Sequence, residues 1–194
     1  MTRTHVALLR GINVGGHGRL PMADLRRLVE GLGWGEVATY VQSGNVAMAV
    51  PDAEAADGTD ALADRLEAAL AARTQVHPAV VVLTRAELDR VVADNPYPDE
   101  QDPTHLHVTV DRDRVGGADR AALVAAALER ARAKGSPDAA TVVGPHVYLR
   151  TPQGLGRSVL AAELARGSRG RATGTTRNWR TVTALARLLA EPAG

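Results

Sequence analysis

The sequence predicts an α+β protein made of two small halves, and three observations carry that prediction. Short β-rich runs alternate with segments of helical apolar spacing along the 194 residues. Their order through the first half is β-α-β-β-α-β, and β-α-β-β recurs in the second. Between the halves, Asn95-Pro96-Tyr97-Pro98 is a strong break. The first order is the ferredoxin-like split βαβ pattern, in which two helices cover one face of an antiparallel sheet. We therefore expect one subdomain at residues 1–98 and a second α+β subdomain at 99–194, the latter with a basic loop and a C-terminal helix.

Each element has a local reason. His5 to Leu9 is a short apolar run ending at Arg10-Gly11, and reads as a buried strand. Met22, Leu25, Leu28, Val29 and Leu32 have helical spacing, opened by Pro21 and closed by Gly33. Val37 to Gln42 and Asn45 to Val50 read as strands joined by a tight Ser43-Gly44 turn. Pro51 to Gly58 is an acidic, Ala-rich loop, after which Thr59 stands as N-cap for a helix through Arg73. In that helix Leu62, Leu66 and Leu70 share one face. Val80 to Leu83 closes the first pattern, and a short helix from Arg85 to Ala93 follows.

The second half opens with a strand from His105 to Val110 and a helix from Asp119 to Lys134. Thr141 to Val143 and His146 to Arg150 form a hairpin around Gly144-Pro145. Leu155 to Ala165 has helical character, and residues 167–174 make a basic, Gly-rich loop. Arg177 to Ala190 is the last helix, with Trp179, Val182, Leu185, Ala186 and Leu189 on one face and Thr175 or Thr176 as N-cap.

Composition removes several chemistries. The absence of Cys excludes disulfides, cysteine nucleophiles and thiolate metal sites together. Lys134 is the single lysine, so only that position could form a Schiff base. No apolar run approaches the roughly 18 residues of a membrane helix. The opening stretch is too short and Gly-broken for a signal peptide, and cytoplasmic residence is expected. Net charge is +1, yet residues 51–149 carry ten basic against seventeen acidic side chains, and residues 150–190 carry eight arginines against Glu163 alone. That split bears on partners rather than on fold.

Three segments have the residue types for binding. Arg10-Gly11-Ile12-Asn13-Val14-Gly15-Gly16-His17-Gly18 joins a strand to a helix, where Gly-rich turns let N–H groups converge on an anion. His17 and Gly18 stand where a phosphate-binding NTPase loop needs Lys and Ser/Thr, so that reading fails. A dinucleotide fingerprint fails as well, for want of its third glycine and of a β-α-β order. No cofactor is indicated. Gln42-Ser43-Gly44-Asn45 is the hairpin turn, built of residues that turns favour on conformational grounds alone. Thr175-Thr176-Arg177-Asn178-Trp179 reads as a helix start suited to phosphate or carboxylate. His105 and His107 share a strand face, but no third ligand stands near, so no metal site is assigned.

Ala7 to Gly16, Tyr40 to Val46 and Thr176 to Trp179 together resemble the signatures of a bacterial domain-of-unknown-function family, number 1697. Pro21 to Leu25 and Asn95-Pro96-Tyr97 are similar to its pattern too. The resemblance implies tandem ferredoxin-like subdomains and carries no assigned activity. It also picks out Arg10, Asn13, Ser43, Asn45, Arg177 and Asn178 as ligand-binding candidates.

Three functions from different classes follow. One is a binder of a small anionic or phosphorylated ligand, with Arg10 and Arg177 holding the anion. Another is sequence-independent nucleic-acid binding through the Arg-rich C-terminal region. With five aromatic residues in the chain, base-stacking recognition is disfavoured. The last is an enzyme using Ser43 or a bound water, for which no base can be named. Oligomeric state is left open, and no membrane partner is expected.

Overall fold

The computed structural model describes residues 2–13, 19–112, 117–168 and 174–191. Residues 14–18 of the Gly-rich loop and 169–173 of the basic loop therefore lie outside the described residues. By internal contacts the chain divides into two units, Met1–Arg90 with Thr181–Gly194, and Val91–Arg180.

The first unit contains β1 (His5–Leu9), α1 (Met22–Glu30), β2 (Gly35–Tyr40), β3 (Asn45–Ala49), the short α2 (Asp52–Ala55), α3 (Thr59–Arg73), β4 (Val80–Thr84) and most of α4 (Arg85–Ala93). Its sheet has the order β2-β3-β1-β4 with every neighbouring pair antiparallel. This is the ferredoxin-like arrangement. Leu25, Leu28 and Val29 of α1 and Leu62, Leu66 and Leu70 of α3 pack on Ala7, Leu9, Val46, Met48, Val80 and Val82. Burying each such leucine contributes about 1.5–3 kcal/mol. Val6, Leu8, Ala47, Val81 and Leu83, on the opposite face of the same strands, are also buried. Burial on both faces explains why β1 and β4 read as unbroken apolar runs instead of alternating ones.

The second unit contains β5 (Leu106–Val110), α5 (Gly117–Ala133), β6 (Ala139–Val143), β7 (His146–Arg150), a 3-10 turn (Leu155–Arg157), α6 (Val159–Ser168) and β8 (Thr175–Asn178). Its order, β6-β7-β5-β8, is again fully antiparallel. The two sheets thus share one topology, strand for strand. The last helix, α7 (Trp179–Ala190), lies from Thr181 onward in the first unit. There the guanidinium groups of Arg3 and Arg85 donate to the Leu188 and Leu189 carbonyls, each at 3.2 Å.

Several local expectations are corrected. Thr175 and Thr176 do not cap a helix. They are strand residues paired with Val110 and Thr109, and the helix expected from Arg177 starts at Trp179. A four-residue polar stretch has no apolar alternation, and only its partner strand makes β8 visible. The expected two-residue hairpin is a four-residue turn, with β2 ending at Tyr40. The residue before α3 is Gly58 at φ +86°, so Thr59 lies inside the helix.

Candidate functional site

The antiparallel order brings the end of β1, the β2–β3 turn and the start of β4 to one edge of the first sheet. Leu8 pairs with Asn45, the Leu9 N–H donates to the Gly44 carbonyl at 2.8 Å, and the Arg10 N–H donates to Ala79 at 2.9 Å. Arg10 thus follows β1 at the end of the sheet where the β2–β3 turn lies. The Arg10 side chain is exposed.

Two asparagines tie this edge together. The Asn13 amide donates to the Leu20 carbonyl at 2.8 Å and the Gln42 carbonyl at 2.7 Å, and its oxygen accepts from the Leu20 N–H at 2.8 Å. One side chain thereby joins Leu20, just before α1, to the hairpin turn. Asn45, fully buried, donates to the Tyr40 carbonyl at 3.0 Å and to the Ser43 hydroxyl at 2.9 Å. A buried amide so engaged specifies the turn, because leaving it unpaired costs about 1–3 kcal/mol.

The backbone here departs from ordinary conformations. Gly11 and Asn13 lie at φ +68° and +55°. Reversals of this kind are what backbone anion nests are built from. Gly44, at φ +73°, is packed so closely that a Cβ would meet Ile12 Cδ1 at 2.6 Å and Leu9 Cβ at 2.8 Å. Val41 lies at φ +50° and is 53% exposed. A β-branched residue held there costs about 1–3 kcal/mol of backbone strain. Val41 was invisible to sequence reasoning, since Tyr40-Val41-Gln42 has good strand propensity and the turn signal was absorbed by Ser43-Gly44.

In the second unit, Arg177 pairs with Val108 across β8 and β5, and that row continues to Tyr148 and Thr141. Helix α5 packs on the other face, through Val124 against Val147 and Leu149. The face bearing Arg177 is crossed by the chain that precedes β5. Tyr148 donates to the Val91 carbonyl at 2.8 Å, and the Tyr97 and Thr141 hydroxyls lie 2.9 Å apart. Burial pushes the Tyr148 hydroxyl up to about 12, with Asp94 adding to the shift.

Arg177 is only 8% exposed. Its guanidinium donates to the Thr175 hydroxyl, and to the Thr176 carbonyl at 3.0 Å. Burial lowers its pKa to about 10, which leaves it charged at neutral pH. Asn178, the last residue of β8, directly precedes α7. The helix-start setting expected for Arg177 is therefore replaced by a buried strand position.

Within the first unit, then, Arg10, Asn13, Ser43 and Asn45 come to one sheet edge, and Asn13 and Asn45 act as its internal ties. Arg177 and Asn178 are neighbours in the second unit. Ser43 accepts from Asn45. His107 is buried, with a pKa lowered chiefly by burial, while His105 precedes the strand and lies 3.5 Å from both Glu100 and Asp102. Among the described residues, no group of three or more His, Asp or Glu side chains is placed to hold a metal ion. Nor is any described helix long and apolar enough to cross a membrane. Within the basic C-terminal stretch, Arg150 pairs with Glu100 and Arg166 with Glu163, so part of its charge is neutralised internally.

Fold and site define a tandem ferredoxin-like α+β protein with a tied polar edge on its first sheet. The chain belongs to the family described as protein of unknown function, DUF1697, which it matches over residues 1–142. The match ends before β7, so the Thr176 to Trp179 likeness lies beyond it. Among solved structures the chain is similar to the conserved bacterial protein SP0830 from Streptococcus pneumoniae, at 19% identity and a TM-score of 0.71. That likeness covers 97% of this chain and 99% of the other, and it concerns the fold alone. No curated protein matches the chain.

Proposed function

We propose that the protein binds a small anionic or phosphorylated ligand, with Arg10 as its cationic contact on the first unit. The observation that carries this reading is the tied edge of the first sheet. An exposed arginine stands there beside a turn whose shape three side-chain hydrogen bonds fix, next to positive-φ backbone at Gly11 and Asn13. Guanidinium groups suit planar, bidentate contact with phosphate or carboxylate. Prearranged groups lose little entropy on binding.

Thermal unfolding of the purified chain against phosphate, nucleotides, polyphosphate and short oligonucleotides tests this. A ligand at about 100 times its Kd adds roughly 2.7 kcal/mol. For a chain of this length that is a rise of about 5–10 °C. We expect such a rise with a small anion, lost in Arg10→Ala. No response to any small anion, or one unchanged in Arg10→Ala, overturns the reading. A response only to long polyanions that vanishes in salt would replace it with nucleic-acid binding.

A further inference from the structure

We propose that Val41 is a preorganised apolar contact for the organic part of the bound anion, so that the ligand is an anionic ester carrying an apolar body, not a bare inorganic ion. The inference rests on the anion-binding reading above and names its ligand class.

Val41 is the large apolar side chain that the described residues leave exposed. It is held at φ +50°, a conformation that Gly or Asn adopts at far less cost. Local folding therefore favours a different residue at this position. The turn is nevertheless over-determined from behind. Asn13 grips the Gln42 carbonyl, Asn45 grips the Tyr40 carbonyl and the Ser43 hydroxyl, and Gly44 is seated against Ile12 and Leu9. Strain persists only where its surroundings enforce it, and such enforcement marks ligand contacts. Here the enforced result is one exposed apolar side chain, in the turn whose Gly44 carbonyl accepts from Leu9, the residue before Arg10. An exposed arginine directly after β1, at the same end of the sheet as the turn that carries Val41, fits a phosphate monoester whose substituent lies on that side chain.

The test is calorimetric titration of the full chain with inorganic phosphate and with phenyl phosphate, in wild type, Val41→Gly and Val41→Asn, with the Tm of each. Wild type should bind phenyl phosphate roughly five- to tenfold more tightly than phosphate, from apolar area removed from water. Both variants should bind the two probes equally, keep the phosphate affinity, and unfold at a higher temperature, because the backbone strain is relieved. Variants that retain the preference, or that unfold at a lower temperature, overturn the proposal. Equal binding of the two probes by wild type removes this inference alone. Failure of wild type to bind either removes the anion reading and this inference with it.

Discussion

Gly44 shows how much a single residue decides at the tied edge. Its φ of +73° is unfavourable for any side chain, and its Cα faces Ile12 and Leu9 with no room for a methyl group. Positive φ alone costs an alanine about 1 kcal/mol, and contacts below 3 Å add overpacking of about 1–3 kcal/mol. Gly44→Ala should therefore destabilise the chain by about 2–4 kcal/mol, measured by denaturant unfolding. An alanine that cost nothing would mean the turn can move away from Ile12. Ser43 and Asn45 are legible in the sequence as turn residues, but their partners are not. That Asn45 holds Ser43 and Tyr40, and Asn13 holds Gln42 across 29 positions, depends on which strands lie side by side.

At the scale of elements, Glu163 joins α5 to α6. Its buried carboxylate accepts from Arg130 of α5 at 2.9 Å, from Lys134 just past the end of α5 at 2.6 Å, and from Arg166 one turn along α6. Lys134 foremost, then Arg130, hold the carboxyl at about 2, below its usual 4.5. The folded pKa is depressed, so this contribution is full above about pH 4.5 and is lost as pH falls toward 2. Glu163→Gln should lower the Tm at pH 7 and flatten the dependence of stability on pH between these two values. A variant that kept the wild-type acid profile would assign that profile to other carboxylates. The sequence marks Glu163 as the lone acid in a basic stretch, and the helix pairing gives that isolation its meaning. Strand β8 is the opposite case, since Thr175 to Asn178 carries no apolar signal and is a strand only because β5 offers an unpaired edge.

Across the whole molecule the same four-strand order occurs twice, and it sets a common gradient of protection. All residues of β1 and β3 are buried, whereas every residue of the edge strands β2 and β6 is only half-buried. Edge strands leave one side of their backbone without a ladder partner. Amide hydrogen exchange should then be slower in β1 and β3 than in β2, and slower in β5 and β7 than in β6. Uniform protection across either sheet would contradict the assigned orders. The repeat extends to single positions. His5 and His107 both stand near the start of a central strand on the helix-packed face, buried and with pKa lowered chiefly by that burial.

What the sequence determined by itself is the set of elements that carry their own periodicity. The leucine faces of α1 and α3 follow from spacing, because each must bury a stripe of fixed period, and β1, β4 and β7 follow from short apolar runs; together they give the α+β class. The candidate residues were also legible, as polar types clustered at breaks in that pattern. Only the tertiary structure decided that Thr175 to Asn178 is a fourth strand, that Val41 occupies a strained left-handed position, and that Asn13 and Asn45 serve as ties. These depend on the pairing of strands, and for Asn13 and β8 on hydrogen bonds between residues far apart in the chain. Such bonds form only once the sheet order has brought their partners together, and no local preference encodes them.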